Sequence, residues 1–172
     1  MNAVAVVVVA VTVVVFAYVR SYNRLVNGRE LLDDAWASVA AVLDRRHELV
    51  PQLAEAVTAS PVGDQPLVDD LLRTLRVAAE AGPDAEARRE PERDLALAAA
   101  AVIDLRRPYP VLDTERGFND VRRELAVNDD RLRDAAYAHD ERAADLDRRM
   151  GSFPSNLVAK RHGFTTPSTF AM

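Results

Sequence analysis

The chain has 172 residues, a formal net charge of −5 and no cysteine. That length is enough for one domain with a real core, and the missing thiols exclude disulfides, thiol catalysis and cysteine-ligated metals or clusters. Mild acidity argues against a general nucleic-acid binder, whose affinity rests on cations neutralising phosphates; the basic charge is nearly all arginine, with Lys160 the only lysine, a compositional bias rather than a mechanism.

Ala3 to Val19 is apolar apart from Thr12. As a helix at ~1.5 Å per residue it spans roughly 26 Å, the short end for a bilayer core. Phe16 and Tyr18 fall where an interfacial aromatic belt belongs. Only the α-amine precedes the run, and Phe16-Ala17-Tyr18-Val19-Arg20 lacks the small-residue cleavage pattern of a signal peptide. The expectation is a permanent single-pass anchor over residues 1–20, with residues 3–19 in lipid. Arg20, Arg24 and Arg29 follow the run and no Lys or Arg precedes it. The positive-inside rule then puts the N-terminus outside and the following domain in the cytoplasm.

Beyond the anchor, abundant Ala and Leu with few Gly favour helix. The first helix continues from the anchor with two seven-residue seams. One holds Leu25, Leu32, Val39, Arg46 and Leu53; the other holds Arg29, Trp36, Leu43, Val50 and Val57. That spacing is coiled-coil-like, and Pro51 should kink it. Pro61, Gly63 and Pro66 mark a turn. A second helix presents Leu67, Leu71, Leu75 and Ala78 and ends at Gly82-Pro83. Asp84–Glu92 reads as a loop or weak helix, either a connector or a docking segment. A third helix from about Pro91 to Arg106 presents Leu95, Ala98, Val102 and Leu105, and Pro108-Tyr109-Pro110 breaks it. A long fourth helix begins near Thr114, capped by Asp113 or Thr114. Its stripe is Phe118, Val121, Leu125, Leu132, Ala136, His139, Ala143, Leu146 and Met150. A last short helix, about Asn156–Arg161, ends at Gly163. These amphipathic faces predict an all-α fold: an N-terminal transmembrane helix continuing into a four-helix-type antiparallel bundle over residues 21–164, then a flexible tail at 165–172.

Several phrases occur in one order: Tyr22-Asn23-Arg24-Leu25-Val26, Trp36, Leu43 through Leu53, Tyr109-Pro110-Val111-Leu112, Phe118, Glu124-Leu125, Phe153 through Ala159, and Gly163-Phe164. Together they resemble the LemA family of bacterial membrane proteins over nearly the whole chain. The resemblance implies one N-terminal membrane helix, a helical-bundle domain and no catalytic residues to carry over. The family pattern has two Tyr-Asn pairs a heptad apart before the Phe-Pro. Here those places hold His139-Asp140 and Leu146-Asp147, which implies a lost or altered role for the pairs.

Among single residues, Arg46 stands out in its apolar seam. It either forms a buried ion pair with Glu124, Asp129 or Asp130, or packs its stem there and sends its head to water, the commoner arrangement. His139 lies in the fourth helix's stripe, more in keeping with a satisfied core histidine than with a pH sensor or ligand contact. His47-Glu48 matches half of a zinc-protease helix motif, but Pro51 occupies the place of the second His. There is no P-loop, no G-x-G-x-x-G and no G-x-S-x-G. No metal or cofactor is therefore expected, and the chain is read as a non-enzyme.

The reading is a membrane-anchored adaptor or scaffold at the cell membrane, touching lipid through residues 3–19 and a protein partner or a second copy of itself through its bundle. The residues singled out for structural or interaction roles are Trp36, Arg46, Tyr109, His139, Phe153 and Pro154. Two alternatives stand beside it: a small-ligand sensor or enzyme with a pocket near Arg46, Tyr109 and His139, and a bundle that binds lipid and shapes the membrane.

Overall fold

The structure, a computed structural model, describes residues 2–62 and 64–170, without the side chain of Asn2. Gly63, one of the expected turn markers, lies outside the described residues, as do Ala171 and Met172 of the expected tail. The described residues form five α-helices and no strand: α1 Asn2–Thr58, α2 Gln65–Ala79, α3 Ala85–Asp104, α4 Arg116–Gly151 and α5 Ser155–His162, with a 3-10 turn at Pro110–Thr114 before α4. The fold class is all-α, as the periodicities predict.

Contacts divide the chain into two compact units. Unit 1 takes Met1–Ala35 and Ala138–Thr169; unit 2 takes Trp36–Tyr137 and Phe170–Met172. In unit 1, the described side chains from Ala3 to Phe16 are all exposed, on every side of α1. The helix that carries this stretch is, by length and composition, apolar and long enough to cross a membrane. A helix that is hydrophobic all round has no polar face to give to water. Further along, Leu25, Leu146, Val158 and Ala159 close a small core, flanked by Leu32, Met150 and Phe164. Gly28 lets α4 approach: a Cβ there would stand 3.1 Å from Leu146 Cδ1. The seam therefore turns on Gly28, and Arg29, placed in the seam by the heptad count, is exposed.

Unit 2 has the larger core. Leu49, Val50, Leu53 and Val57 of α1 meet Val68 and Leu71 of α2, Leu95 and Val102 of α3, and Phe118 and Leu125 of α4. A second cluster joins Val39, Leu43, Ala85, Leu132, Ala136 and Phe170. Helix starts explain the first departures from expectation. Asp64 Oδ1 accepts from the Leu67 N–H at 3.2 Å, and Pro66 sits in the first turn of α2, where its missing donor costs nothing. The buried face of α2 is Val68, Leu71, Thr74 and Ala78. It keeps Leu71 and Ala78 of the expected stripe, but Val68 and Thr74 replace Leu67 and Leu75, which are only half-buried. Thr74 tolerates burial because its hydroxyl donates to the Leu71 carbonyl at 2.9 Å.

Asp84 likewise caps α3, accepting from the Ala87 N–H at 2.8 Å. The segment read as a loop or weak helix is thus the first two turns of α3, and Pro91 lies inside the helix rather than at its start. Tertiary packing of Ala85 and Glu92 outweighs the donor that Pro91 removes. Helix α1 likewise runs through Pro51. Before α4, Thr114 donates to Val111 O rather than capping the helix. Asn119 Nδ2 instead gathers carbonyls at the end of the 3-10 turn and just after it, bonding Asp113 O at 2.8 Å and Glu115 O at 3.0 Å. The α4 stripe is as predicted except that buried Asn128 fills the gap between Leu125 and Leu132. Gly163 ends α5 at φ 68°, and the Phe164 N–H reaches back to Ala159 O, closing a Schellman cap.

The expected loose tail needs one correction. Phe170 is fully buried in unit 2, edge-on to Trp36 with ring centroids 5.3 Å apart. The polar run from Thr165 hid a single aromatic anchor at its end.

Candidate functional site

The densest polar arrangement lies in unit 2, around Arg46. Its seam position on α1 carries the guanidinium into the core, where the residue is 4% exposed. Nη2 donates to Asp129 Oδ1 of α4 at 2.6 Å, and Nη1 stands 3.7 Å from Glu92 Oε2 of α3. Glu92 has no exposed surface, and its other oxygen bonds His47 Nε2 at 2.7 Å. With Glu92 ionised its oxygens only accept, so His47 Nε2 is the donor. One cation thus serves two carboxylates, and one carboxylate is shared by two neighbouring α1 residues. The arrangement ties α1 to α3 and α4 at a single level.

Of the two readings of Arg46, the structure has the buried ion pair. The head does not reach water. Of the three expected partners, Asp129 is used; Glu124 goes to Arg45 at 2.7 Å and Asp130 to Arg133 at 2.7 Å. Arg45, exposed between Glu48 and Glu124, is raised above its usual pKa by the hydrogen bonds to those carboxylates. Glu92 was missed because its charged segment reads as a loop or weak helix with no buried face. The signal was present: Glu92, Leu95, Ala99 and Val102 recur at helical spacing and are all buried.

Two side-chain atoms of this cluster, Arg46 Nη1 and Glu92 Oε2, are buried without a hydrogen bond. A cavity of about 70 Å³ opens beside Arg46 and Asp129, walled by Ala96, Ala99, Ile103 and Leu125. On the outer side of α1 and α4 a wider groove of about 560 Å³ is lined by Arg45, Arg123, Arg131, Glu124, Val127 and Asn128.

The other residues singled out from sequence are dispersed. Trp36 is structural: Nε1 donates to Pro83 O at 2.7 Å and the ring meets Phe170. Tyr109 is 44% exposed at the break before the 3-10 turn. Arg46 and Tyr109 belong to unit 2, whereas His139 belongs to unit 1, 3% exposed with Nδ1 3.1 Å from Asp140 Oδ1. The departures from the Tyr-Asn pairs are thus a buried His paired with its neighbour and a buried Leu146. Phe153 and Pro154 join by a cis peptide bond, and Phe153 is 80% exposed. A contact the sequence did not suggest lies in unit 1: Tyr18 OH is 2.7 Å from His162 Nε2, and the Tyr22 ring meets the same imidazole at a tilt, with ring centroids 4.9 Å apart.

An apolar leading helix and a helical core stitched by an internal ionic cluster define a class: an all-helical protein whose strongest polar constellation holds helices together. The comparison with known families makes that specific. The family model for the LemA family matches residues 35–172, so the chain belongs to the LemA family. No curated protein matches it.

Proposed function

We propose that this LemA-family protein is a membrane-anchored, non-catalytic adaptor or scaffold of a bacterial cell. The observation that carries the anchor is the exposure of Val4 to Val19 all round α1, 38–72% for the large apolar side chains of the run. Lipid is the environment that removes that surface from water. Arg20, Arg24 and Arg29 after the run support an external N-terminus and a cytoplasmic domain. Tethering raises local concentration, so a modest interface suffices. The side chains offered to a protein partner or a second copy are Phe153 and Leu157, 80% and 60% exposed. The test is cross-linking of full-length protein in native membranes, wild type against Phe153→Ser/Leu157→Ser, read by quantitative mass spectrometry. A partner or self-adduct enriched with wild type and lost with the variant is expected; equal profiles would overturn the adaptor role.

A second reading, a small-ligand sensor, is favoured by the unbonded Arg46 Nη1 and Glu92 Oε2 and the cavity beside Arg46. It requires a small polar ligand whose binding raises the unfolding midpoint of wild type but not of Arg46→Met.

A further inference from the structure

We propose that the C-terminal end of α5 and the turn of α1 just past the apolar run form one cationic collar for anionic lipid headgroups. The proposal rests on the reading that Ala3–Val19 crosses a membrane. Both parts belong to unit 1. The Tyr18–His162 contact at 2.7 Å and the Tyr22–His162 ring contact at 4.9 Å set the last residue of α5 at the end of that run. Val158 and Ala159, buried with Leu25, hold the preceding turn of α5 against α1. Wherever the bilayer surface meets Tyr18, His162 is therefore at the same level.

The neighbours of His162 then acquire a role. Lys160 and Arg161 are exposed, as are Arg20 and Arg24, which lie one helical turn apart on α1. Basic residues at a helix C-terminus favour the dipole, and that alone accounts for their presence in the last turn of α5. It does not account for their delivery, from the far end of the chain, to the edge of the apolar run. The chain is acidic overall, so general attraction to an anionic surface is lacking. A local ring of cations at headgroup depth supplies it. Lipid phosphates fit this ring: each presents several oxygens to the guanidinium fork, and the ammonium of Lys160 adds a point charge. The phenol and imidazole of Tyr18 and His162 suit the interface, where one end of the ring is apolar and the other wet.

The experiment uses full-length protein in bilayers of phosphatidylcholine with a minority of phosphatidylglycerol. The vesicles are first washed with carbonate. Protein is then extracted in mild detergent, and the lipids it retains are counted by native mass spectrometry. Wild type is expected to retain phosphatidylglycerol above its share of the bilayer. Lys160→Gln with Arg161→Gln is expected to lower that excess about tenfold or more, each cation near an anionic surface being worth roughly fivefold. Lys160→Arg should keep it, as should Arg148→Gln, which removes an exposed cation elsewhere in unit 1. Unchanged helical circular dichroism shows that the double variant folds. Retention in proportion to the bilayer, or equal excess in wild type and double variant, overturns the collar while leaving the anchor intact. Loss of the protein in the carbonate wash overturns the anchor and the collar together.

Discussion

Replacing Arg46 with methionine keeps the length of the stem and removes the charge, and the structure says where the cost falls. Asp129 is half-exposed, its side chain at 49%, so it regains water and loses about 1 kcal/mol or less. Glu92 is the expensive partner. It has no exposed surface, and without Arg46 it keeps only His47. Removing one member of a buried ion pair costs about 3–5 kcal/mol, and the remaining His47 bond places this case near the lower end, at about 3 kcal/mol. That is a large part of a domain's typical ~5–15 kcal/mol. Changing Glu92 to methionine as well should return much of it, because His47 is partly exposed and an apolar pair can fill the space. The coupling between the two sites should therefore be about 2 kcal/mol. Urea unfolding of the full chain in mild detergent, followed by the emission of the single tryptophan, Trp36 in unit 2, measures it. An Arg46→Met variant within about 1 kcal/mol of wild type would mean a solvated head and would refute the buried cluster.

Other positions give sharp outcomes. Phe170→Ala should cost about 3–4 kcal/mol, the range for emptying a fully buried phenylalanine site, and should red-shift Trp36 emission by admitting water beside the indole; an unchanged spectrum would restore the loose tail. Asp84→Ala should cost about 1 kcal/mol by freeing the Ala87 N–H, measured as a lower urea midpoint. Pro91→Ala should raise stability by about 1–2 kcal/mol, since it restores a helix donor inside α3 and gives back part of the gain as unfolded-chain freedom.

Much of this fold was legible because its helices are long and periodic. The α4 stripe from Phe118 to Met150 could be read apart from Asn128, since Phe118, Leu125, Leu132, His139 and Leu146 recur every seven residues, as do Ala136, Ala143 and Met150. What failed was local. Pro91 and the charged residues around it looked like a loop or weak helix, because the burial of Glu92 depends on Arg46 and His47, far away in sequence. The same error hid the main partner of Arg46. Leu67 gave way to Val68 on α2 because both flank the face that Leu71 and Ala78 define, and only the core decides between them. Phe170 was lost in a polar run, where one aromatic makes no period. The Tyr18–His162 contact joins residues from opposite ends of the chain, and no local pattern announces it.

The membrane anchor is directly testable, because the chain lacks cysteine. Single cysteines at Val6, Ala10, Val14, Arg24 and Asp34 of the full-length protein in intact cells would be offered a membrane-impermeant maleimide, before and after the membrane is opened. Protection at the first three positions throughout, with labelling of the last two only after opening, is the expected result. Labelling of Val6, Ala10 and Val14 to the same extent as Asp34 would contradict the account.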